Sequence, residues 1–401
     1  LYVITHILLT GKFFAMRLPF TFAHISAGFV AVLIGYTSAA ALVFEAARAG
    51  GAGPLEAGSW MWALGLGMGI CGIVLSLYYK TPVMIAWSTP GAALLITSLP
   101  GVDPAHAVGA FIFSSVLITI CGLSGWVDRL MKLIPTSLAT AMLAGVLLRF
   151  GLAIFPAFAE AYFLVGAMVV TYLLGKWRAS RYTIVVTFIV GAVVALGQHQ
   201  VNVQNLDLQW TVPVFTMPVF DLVTWIGVGV PLFVVTMASQ NLPGLAVLRA
   251  HNYQIPASPL IGWSGALGVF FAPFGGYAFN LAAITAALCM GEDVDKDPKR
   301  RYWAAVWAGV FYMIAGVFGG SVAGLFAAFP SAMIATIAGL ALLGTIANSL
   351  ATSLNQIATR DSAILCFVMT ASGVQIFNIG APFWGLVVGL IVYHLIEKKR
   401  A

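Results

Sequence analysis

Long apolar runs recur from one end of this chain to the other, and nearly all of its charge is gathered in the short stretches between them. A helix needs about 20 apolar residues to cross the hydrocarbon core of a bilayer. Candidate runs, some of them short, lie near residues 22–45, 58–79, 83–98, 104–124, 133–154, 157–175 and 182–198. They resume near 221–247, 257–273, 277–291, 302–320, 329–350, 361–378 and 381–396. Hydrophobic residues make up 61% of the chain and charged residues 8%, against about 25% charged in a soluble domain. A water-soluble fold of 401 residues could not cover so much apolar surface. The chain reads as an all-α polytopic protein of the cell (inner or plasma) membrane, with fourteen transmembrane segments.

The basic residues test that count. With the N-terminus in the cytoplasm and fourteen crossings, the cytoplasmic loops receive Lys80, Arg129, Lys132, Lys176, Arg178, Arg181, Arg249, Lys296, Lys299, Arg300, Arg301 and Arg360. The two tails add Lys12, Arg17, Lys398, Lys399 and Arg400, and only Arg48 and Arg149 fall outside. Seventeen of nineteen basic residues on one side is a strong positive-inside bias. One missed span would reverse every later loop, so the bias supports an even number of spans and two cytoplasmic termini. It also accounts for the net charge of +6 without nucleic acid, since no basic–aromatic stripe lies on a long soluble segment. Residues 1–21 read as an N-terminal cytoplasmic segment without a cleavable signal, in which Met16 is a candidate start. Cys71, Cys121, Cys289 and Cys366 each sit inside an apolar run with no CxxC or Cys/His spacing. Buried free thiols fit that placement better than disulfides or zinc.

Seven spans lie on each side of a polar, Pro-containing stretch. This divides the chain into a first repeat at 22–198 (spans 1–7), a linker at 199–220, and a second repeat at 221–401 (spans 8–14). An odd number of spans per half sets the halves in opposite membrane orientation, the inverted-repeat plan of many secondary transporters. Span 5 opens IPTSLATAMLAGVLL at Ile134, and span 12 opens FPSAMIATIAGLALL at Phe329. Pro135 and Pro330 are 195 residues apart, and Gly145 and Gly339 are 194 apart. Apolar helices share such patterns by chance, so this match counts only beside the span count.

The third span of each half is interrupted. One reads TPVMIAWSTPGAALLIT from Thr81, the other FGGYAFNLAAITAALCMG from Phe274. Short, broken spans at corresponding positions point to a transporter binding site. Residues before proline prefer extended geometry, a hydroxyl caps free N–H groups, and proline in a first helical turn loses no needed donor. Val83 to Trp87 should therefore be extended, with a helix starting at Ser88 or Thr89 and running through Pro90 and Gly91. In the second half, residues 275–279 can be extended, with Asn280 capping a helix from Leu281 to Met290. The two half-helix starts then approach each other at mid-membrane. Their partial positive charge and free N–H groups form an anion site without a buried Lys or Arg. The alternative is a pair of ordinary kinked helices; broken backbone at membrane depth is costly unless it lines a cavity.

The eighth span adds Thr236, Ser239, Gln240 and Asn241 just before Pro243. Mid-span amides need partners, either substrate or a neighbouring helix, and the sequence leaves both open. The first span offers Tyr36, Thr37 and Ser38 at similar depth. Tyr36, Trp87, Tyr277 and Phe279 could together line an apolar slot for a flat ring, although packing also explains each alone. The candidate substrate contacts are thus Tyr36, Ser38, Trp87, Ser88, Thr89, Gly91, Gln240, Asn241, Tyr277, Phe279 and Asn280. All thirteen acidic residues fall near span ends or in loops, with Glu45, Glu160, Asp221 and Asp361 closest to the membrane. None is placed as a mid-membrane proton relay. His24 can titrate but is expected at the interface. There is no HExxH, no GxSxG with a matching His–Asp pair and no GxxxxGK[ST] loop. Catalytic residues, cofactors and metals are therefore not expected, and an ATP-driven pump is not indicated.

The runs AVLIGYTSAAA from Ala31, AWSTPGAALL from Ala86, ATAMLAGVLLRFGL from Ala139, PLFVVTMASQNLPG from Pro231 and AAITAA from Ala282 carry a resemblance. From Met16 onward the chain resembles the benzoate/proton symporter family. The resemblance implies import of benzoate or a similar aromatic carboxylate with protons, across the lipid bilayer. It also implies the fold shared with nucleobase transporters and sulfate-type anion carriers. That fold has two inverted repeats arranged as a core domain (spans 1–4 and 8–11) and a gate domain (spans 5–7 and 12–14). Substrate sits between spans 3 and 10, beside spans 1 and 8. Dimers occur in this fold; no feature of this sequence decides whether a homodimer forms. Nucleobase transporters hold the base with acidic side chains from spans 8 and 10. The matching stretches here offer Gln240, Asn241 and Asn280, which suit an anion. A transporter of small inorganic anions such as sulfate or bicarbonate, or an anion channel of the same fold, is the alternative.

Overall fold

Prolines and small residues decide where these apolar runs stay helical. The computed structural model describes residues 20–125, 135–178, 183–202, 210–292, 294–377 and 381–397. The first half contains α1 (Phe22–Ala49), α2 (Pro54–Tyr79), strand β1 (Ile85–Trp87) leading into α3 (Thr89–Ser98), and α4 (Pro104–Leu123). It continues with α5 (Thr136–Glu160), α6 (Tyr162–Trp177) and α7 (Thr183–Gly197). Pro54 and Pro104 open α2 and α4, where a missing N–H costs nothing. The second half begins with α8 (Leu222–Arg249). It continues with α9 (Ala257–Phe271), strand β2 (Phe279–Leu281), α10 (Ile284–Cys289) and α11 (Tyr302–Val317). Then follow α12 (Gly319–Ala328), α13 (Ser331–Leu354), α14 (Arg360–Ala371) and α15 (Ala381–Val392).

Among the described residues, six helices are long and apolar enough to cross a membrane alone. Helix α1 passes the same test as a pair bent by 44° between Tyr36 and Ala39, which makes seven if the pair is one span. Two of the differences from the sequence reading have a clear local cause. Helix α5 continues through Pro156 to Glu160, giving up one internal bond. The eleventh run stops at Val317, and the separate α12 follows. The break falls at Phe318, just before the Gly319–Gly320 pair, a weak helix former, and the linker's Thr211 hydroxyl accepts the Gly320 N–H at 2.8 Å.

Helix α8 contains two wide, π-type turns, Trp225–Gly229 and Met237–Asn241. Each lies two residues before a proline, Pro231 or Pro243, whose ring and missing N–H disturb the preceding turn. The second one carries Gln240 and Asn241.

Helix α2 packs along α11, α4 along α9, and α5 along α13. Helix α1 packs on α3 and α10, while α8 packs on α3, β2 and α10. A second, smaller buried cluster includes Ile154, Leu164, Met168, Ala195 and Met333, drawn from α5, α6, α7 and α13. The linker crosses several helix ends in extended form. It donates Thr211 N–H to Val317, Thr216 N–H to Pro273 and Val219 N–H to Ala105, and Ser59 of α2 accepts the Val214 N–H at 2.9 Å. All four cysteines are buried and free.

Candidate functional site

The two broken spans meet as a two-stranded ribbon. β1 and β2 run antiparallel, with Ile85 opposite Leu281, Ala86 opposite Asn280 and Trp87 opposite Phe279. Ser88 N–H donates to Ala278 O at 3.2 Å, and Ala282 N–H to Met84 O at 2.9 Å. Backbone groups that a helix break would strip bare at membrane depth are thereby paired.

Helix α3 starts where its sequence predicts. Ser88 caps it, its hydroxyl accepting the Gly91 N–H at 3.0 Å. Pro90 has no N–H to offer. This leaves Thr89, with its N–H and half-buried hydroxyl, as the first-turn donor open to a ligand. Gly91 permits the close approach of two neighbours: a Cβ there would lie 2.8 Å from Ser88 Oγ and 2.9 Å from Leu232 Cδ1 of α8.

The second broken span departs from expectation. Asn280 does not cap a helix; it lies inside β2, and the helix begins only at Ile284, with no side-chain cap at Ala283. The cause is competition for the backbone. Leu281 N–H is taken by Asn241 Oδ1 at 2.9 Å, and Ala282 N–H by Met84, so the strand extends at the helix's expense. The six residues of α10 align fewer peptide dipoles than the ten of α3. The expected pair of facing dipoles is therefore dominated by one. The turn into β2 requires glycine at 275: its φ is +95°, and a Cβ would collide with the Trp60 indole.

Asn241 is wholly buried, and its amide also donates to Met237 Sδ at 3.3 Å. It ties α8 to the ribbon, so of the two readings open in the sequence, the structure gives this amide the interhelical one. Gln240 beside it is half-buried. Thr236 lies one turn from Leu232 on the same face of α8, fully buried, with no partner for its hydroxyl.

Tyr36 packs edge-on to Trp87, with ring centroids 4.9 Å apart, and lies 6.0 Å from the Tyr312 ring of α11. Its buried hydroxyl has no partner. Asn280 donates to Leu281 O at 3.1 Å, which fixes the amide orientation and leaves its Oδ1 buried without a donor. Tyr36 Oη, Thr236 Oγ1 and Asn280 Oδ1 thus belong to three elements packed around the start of α3. A buried polar atom without a partner costs about 1–3 kcal/mol.

Residues 19–395 match the family of benzoate membrane transport proteins. This chain belongs to that family. It is 45% identical over 371 residues to Inner membrane protein YdcO of Escherichia coli (strain K12), covering 92% of this chain and 95% of that one. It is 36% identical over 375 residues to the Benzoate membrane transport protein of Acinetobacter baylyi, covering 94% and 95%. Among solved structures it is similar to the murine Slc26a9 anion transporter in the inward-facing state, with a TM-score of 0.62 at 12% identity, over 95% of this chain and 69% of that one. It is also similar to the transmembrane domain of a cyanobacterial bicarbonate transporter, BicA, with a TM-score of 0.59 at 15% identity, over 92% and 96%. These two likenesses establish the fold. The chain is a multi-pass membrane transport protein, not an enzyme.

In this benzoate-family transporter, the residues singled out from sequence separate into two groups. Tyr36, Trp87, Ser88, Thr89, Gly91 and Asn280 gather where α1, the ribbon and α3 meet. Tyr277 and Phe279 instead enter an aromatic cluster with Trp60, Phe111 and Phe271, and the Tyr277 hydroxyl donates to Ser88 O at 3.1 Å. These two rings support the ribbon, and Tyr312 takes their place beside Tyr36. Nothing in the local pattern of the eleventh span marks Tyr312. Thr236 carried a visible signal, a mid-span hydroxyl one turn before Gln240. The Ser38 side chain lies outside the described residues.

Proposed function

We propose that this transporter imports benzoate or a similar aromatic carboxylate by proton symport with alternating access. The observation that carries this reading is the trio of unpartnered buried polar atoms around the capped start of α3, beside the Tyr36–Trp87 ring pair. The carboxylate takes the Thr89 N–H and the Tyr36 and Thr236 hydroxyls, and the positive end of α3 favours its charge. The ring packs against Tyr36, Trp87 and Tyr312, where edge-to-face contacts are favourable. Gln240 borders the polar end. The Asn280 Oδ1 acceptor suits the O–H of a protonated carboxyl, one route by which a proton travels with the substrate.

The fourteen spans, the 7+7 inverted repeat and the boundaries 22–198, 199–220 and 221–401 belong to the same proposal. Packing supports them. Exchanging the halves, seven added to a span number in the first and subtracted in the second, turns the α2–α11 pair (spans 2 and 11) into the α9–α4 pair, and the α1–α10 pair into α8–α3. The separate cluster under α5, α6, α7 and α13 supports a gate domain of spans 5–7 and 12–14 moving against a core of spans 1–4 and 8–11. Both termini are cytoplasmic in this arrangement.

The test is competition binding of labelled benzoate to the purified protein. Displacement by ring-substituted benzoates, with none by saturating bicarbonate or sulfate, is the expected result. Displacement by the inorganic anions alone would replace the aromatic carboxylate with the inorganic-anion reading.

A further inference from the structure

The Thr21–His24 end of α1 meets the loop that follows α10, far along the chain from either. His24, expected at the membrane interface, is wholly buried within the protein. Its Nδ1 lies 2.9 Å from both the backbone N–H and the hydroxyl of Thr21. A backbone N–H can only donate, so Nδ1 accepts, and the neutral ring carries its hydrogen on Nε2. Nε2 lies 3.4 Å from Asp295 Oδ2, within ion-pair range but without a hydrogen bond. The same carboxylate oxygen is 3.7 Å from Arg300 Nε.

This contact joins the two segments that hold the substrate site. His24 lies twelve residues before Tyr36 on α1, about 18 Å along the helix. Asp295 lies six residues after the end of α10, the short helix that continues from Asn280. The intervening loop is clamped: buried Arg301 donates to Met290 O at 2.8 Å and to Asp295 O at 2.7 Å. A change in the His24–Asp295 contact therefore acts on both sides of the site at once.

We propose that His24, with Asp295 and Arg300, is a proton-binding site coupled to the substrate site; this deepens the symport reading and rests on it. The proton comes from water on the side of exposed Thr21 and binds Nδ1, because Nε2 already carries one. On arrival both ring nitrogens become donors. Nδ1 must release the Thr21 N–H and donate to the Thr21 hydroxyl instead, and the ring's new positive charge faces Asp295. Neutral His24, ionised Asp295 and Arg300 sum to zero; the protonated state sums to +1. Among the described residues, Asp295 and Arg300 are the charged groups that face the imidazole. Helix α1 adds none there, and one turn further on, at Gly28, it meets α11 through the uncharged Ala304, Trp307 and Ala308. The positive end of α1 opposes a cation at its third position, as does the Arg300 guanidinium, while the Asp295 carboxylate favours it.

Two readouts test this. The first, which does not depend on transport, is NMR of 13C-histidine-labelled protein, with the His24 signal assigned by its loss in His24→Gln. The proposal expects one imidazole titrating with the Asp295 partner, its midpoint falling by about 1 unit or more in Asp295→Asn. The second is benzoate uptake against pH with both sides held equal. Wild type follows the His24 titration, while His24→Gln transports with a flat profile over that range. A His24 signal that does not titrate between pH 5 and 9, or a midpoint unmoved by Asp295→Asn, would overturn the site. So would an unchanged uptake profile in His24→Gln. Absence of benzoate uptake by wild type would remove the transport reading and leave the NMR result standing.

Discussion

Replacing Asn280 with Asp places a carboxyl group of nearly the same shape inside the ribbon, so its effect on binding is electrostatic. Asn280 faces Ala86, and Ser88 lies two residues further on, just past the end of β1. A strand advances about 3.4 Å per residue and neighbouring strands lie about 4.8 Å apart, which sets the Asn280 and Ser88 backbones about 8 Å apart. Two like charges at that distance repel by about 2 kcal/mol at an effective dielectric of about 20. That is about 30-fold in the benzoate dissociation constant. The introduced carboxyl is buried and repels only when ionised, so the loss grows as pH rises and fades as pH falls. The assay is equilibrium binding of labelled benzoate across a pH series, with Asn280→Ala as the neutral control and benzamide as the uncharged ligand. Benzamide should bind Asn280→Asp as it binds wild type. Wild-type benzoate affinity in Asn280→Asp at the high end of the series would refute the placement of the carboxylate at the start of α3.

Other substitutions separate support from contact. Ser88→Ala strips the cap from the buried Gly91 N–H and should cost about 1–2 kcal/mol, seen as a lower melting temperature in detergent that Ser88→Thr largely restores. Asn241→Leu leaves the Leu281 N–H unpaired and should cost about 1–3 kcal/mol; if Asn241 only touched substrate, thermal stability would stay at the wild-type level while affinity fell. Tyr36→Phe removes a buried hydroxyl that has no protein partner, so stability should hold while benzoate binding weakens about tenfold. Loss of stability without loss of affinity would show that the hydroxyl serves packing.

Much of this arrangement could be read before any coordinates. Membrane class, the helix start at Ser88 and the extended Val83–Trp87 segment follow from local chemistry: apolar run length, hydroxyl capping and the restriction proline places on its neighbours. Asn280 could not be read the same way. Its local sequence suits a helix cap, and what overrides it is a partner 40 residues away, Asn241, bonding the next backbone N–H. The sorting of the aromatics is also tertiary. Tyr277 and Phe279 carry the same signal as Tyr36 and Trp87, but packing against Trp60 and Phe271 draws them elsewhere. His24 was expected at the interface from its place at the start of the first span; Asp295, which meets it, lies far along the chain. The break before Gly319–Gly320 was hidden by the apolar character of the residues on either side.

The most direct measurement is uptake of radiolabelled benzoate into proteoliposomes with and without an inward proton gradient. Benzoic acid crosses lipid unaided, so empty liposomes and Asn280→Asp proteoliposomes run beside it. The account predicts saturable uptake, raised by the gradient above both controls. Uptake equal to that of empty liposomes under the same gradient would contradict it.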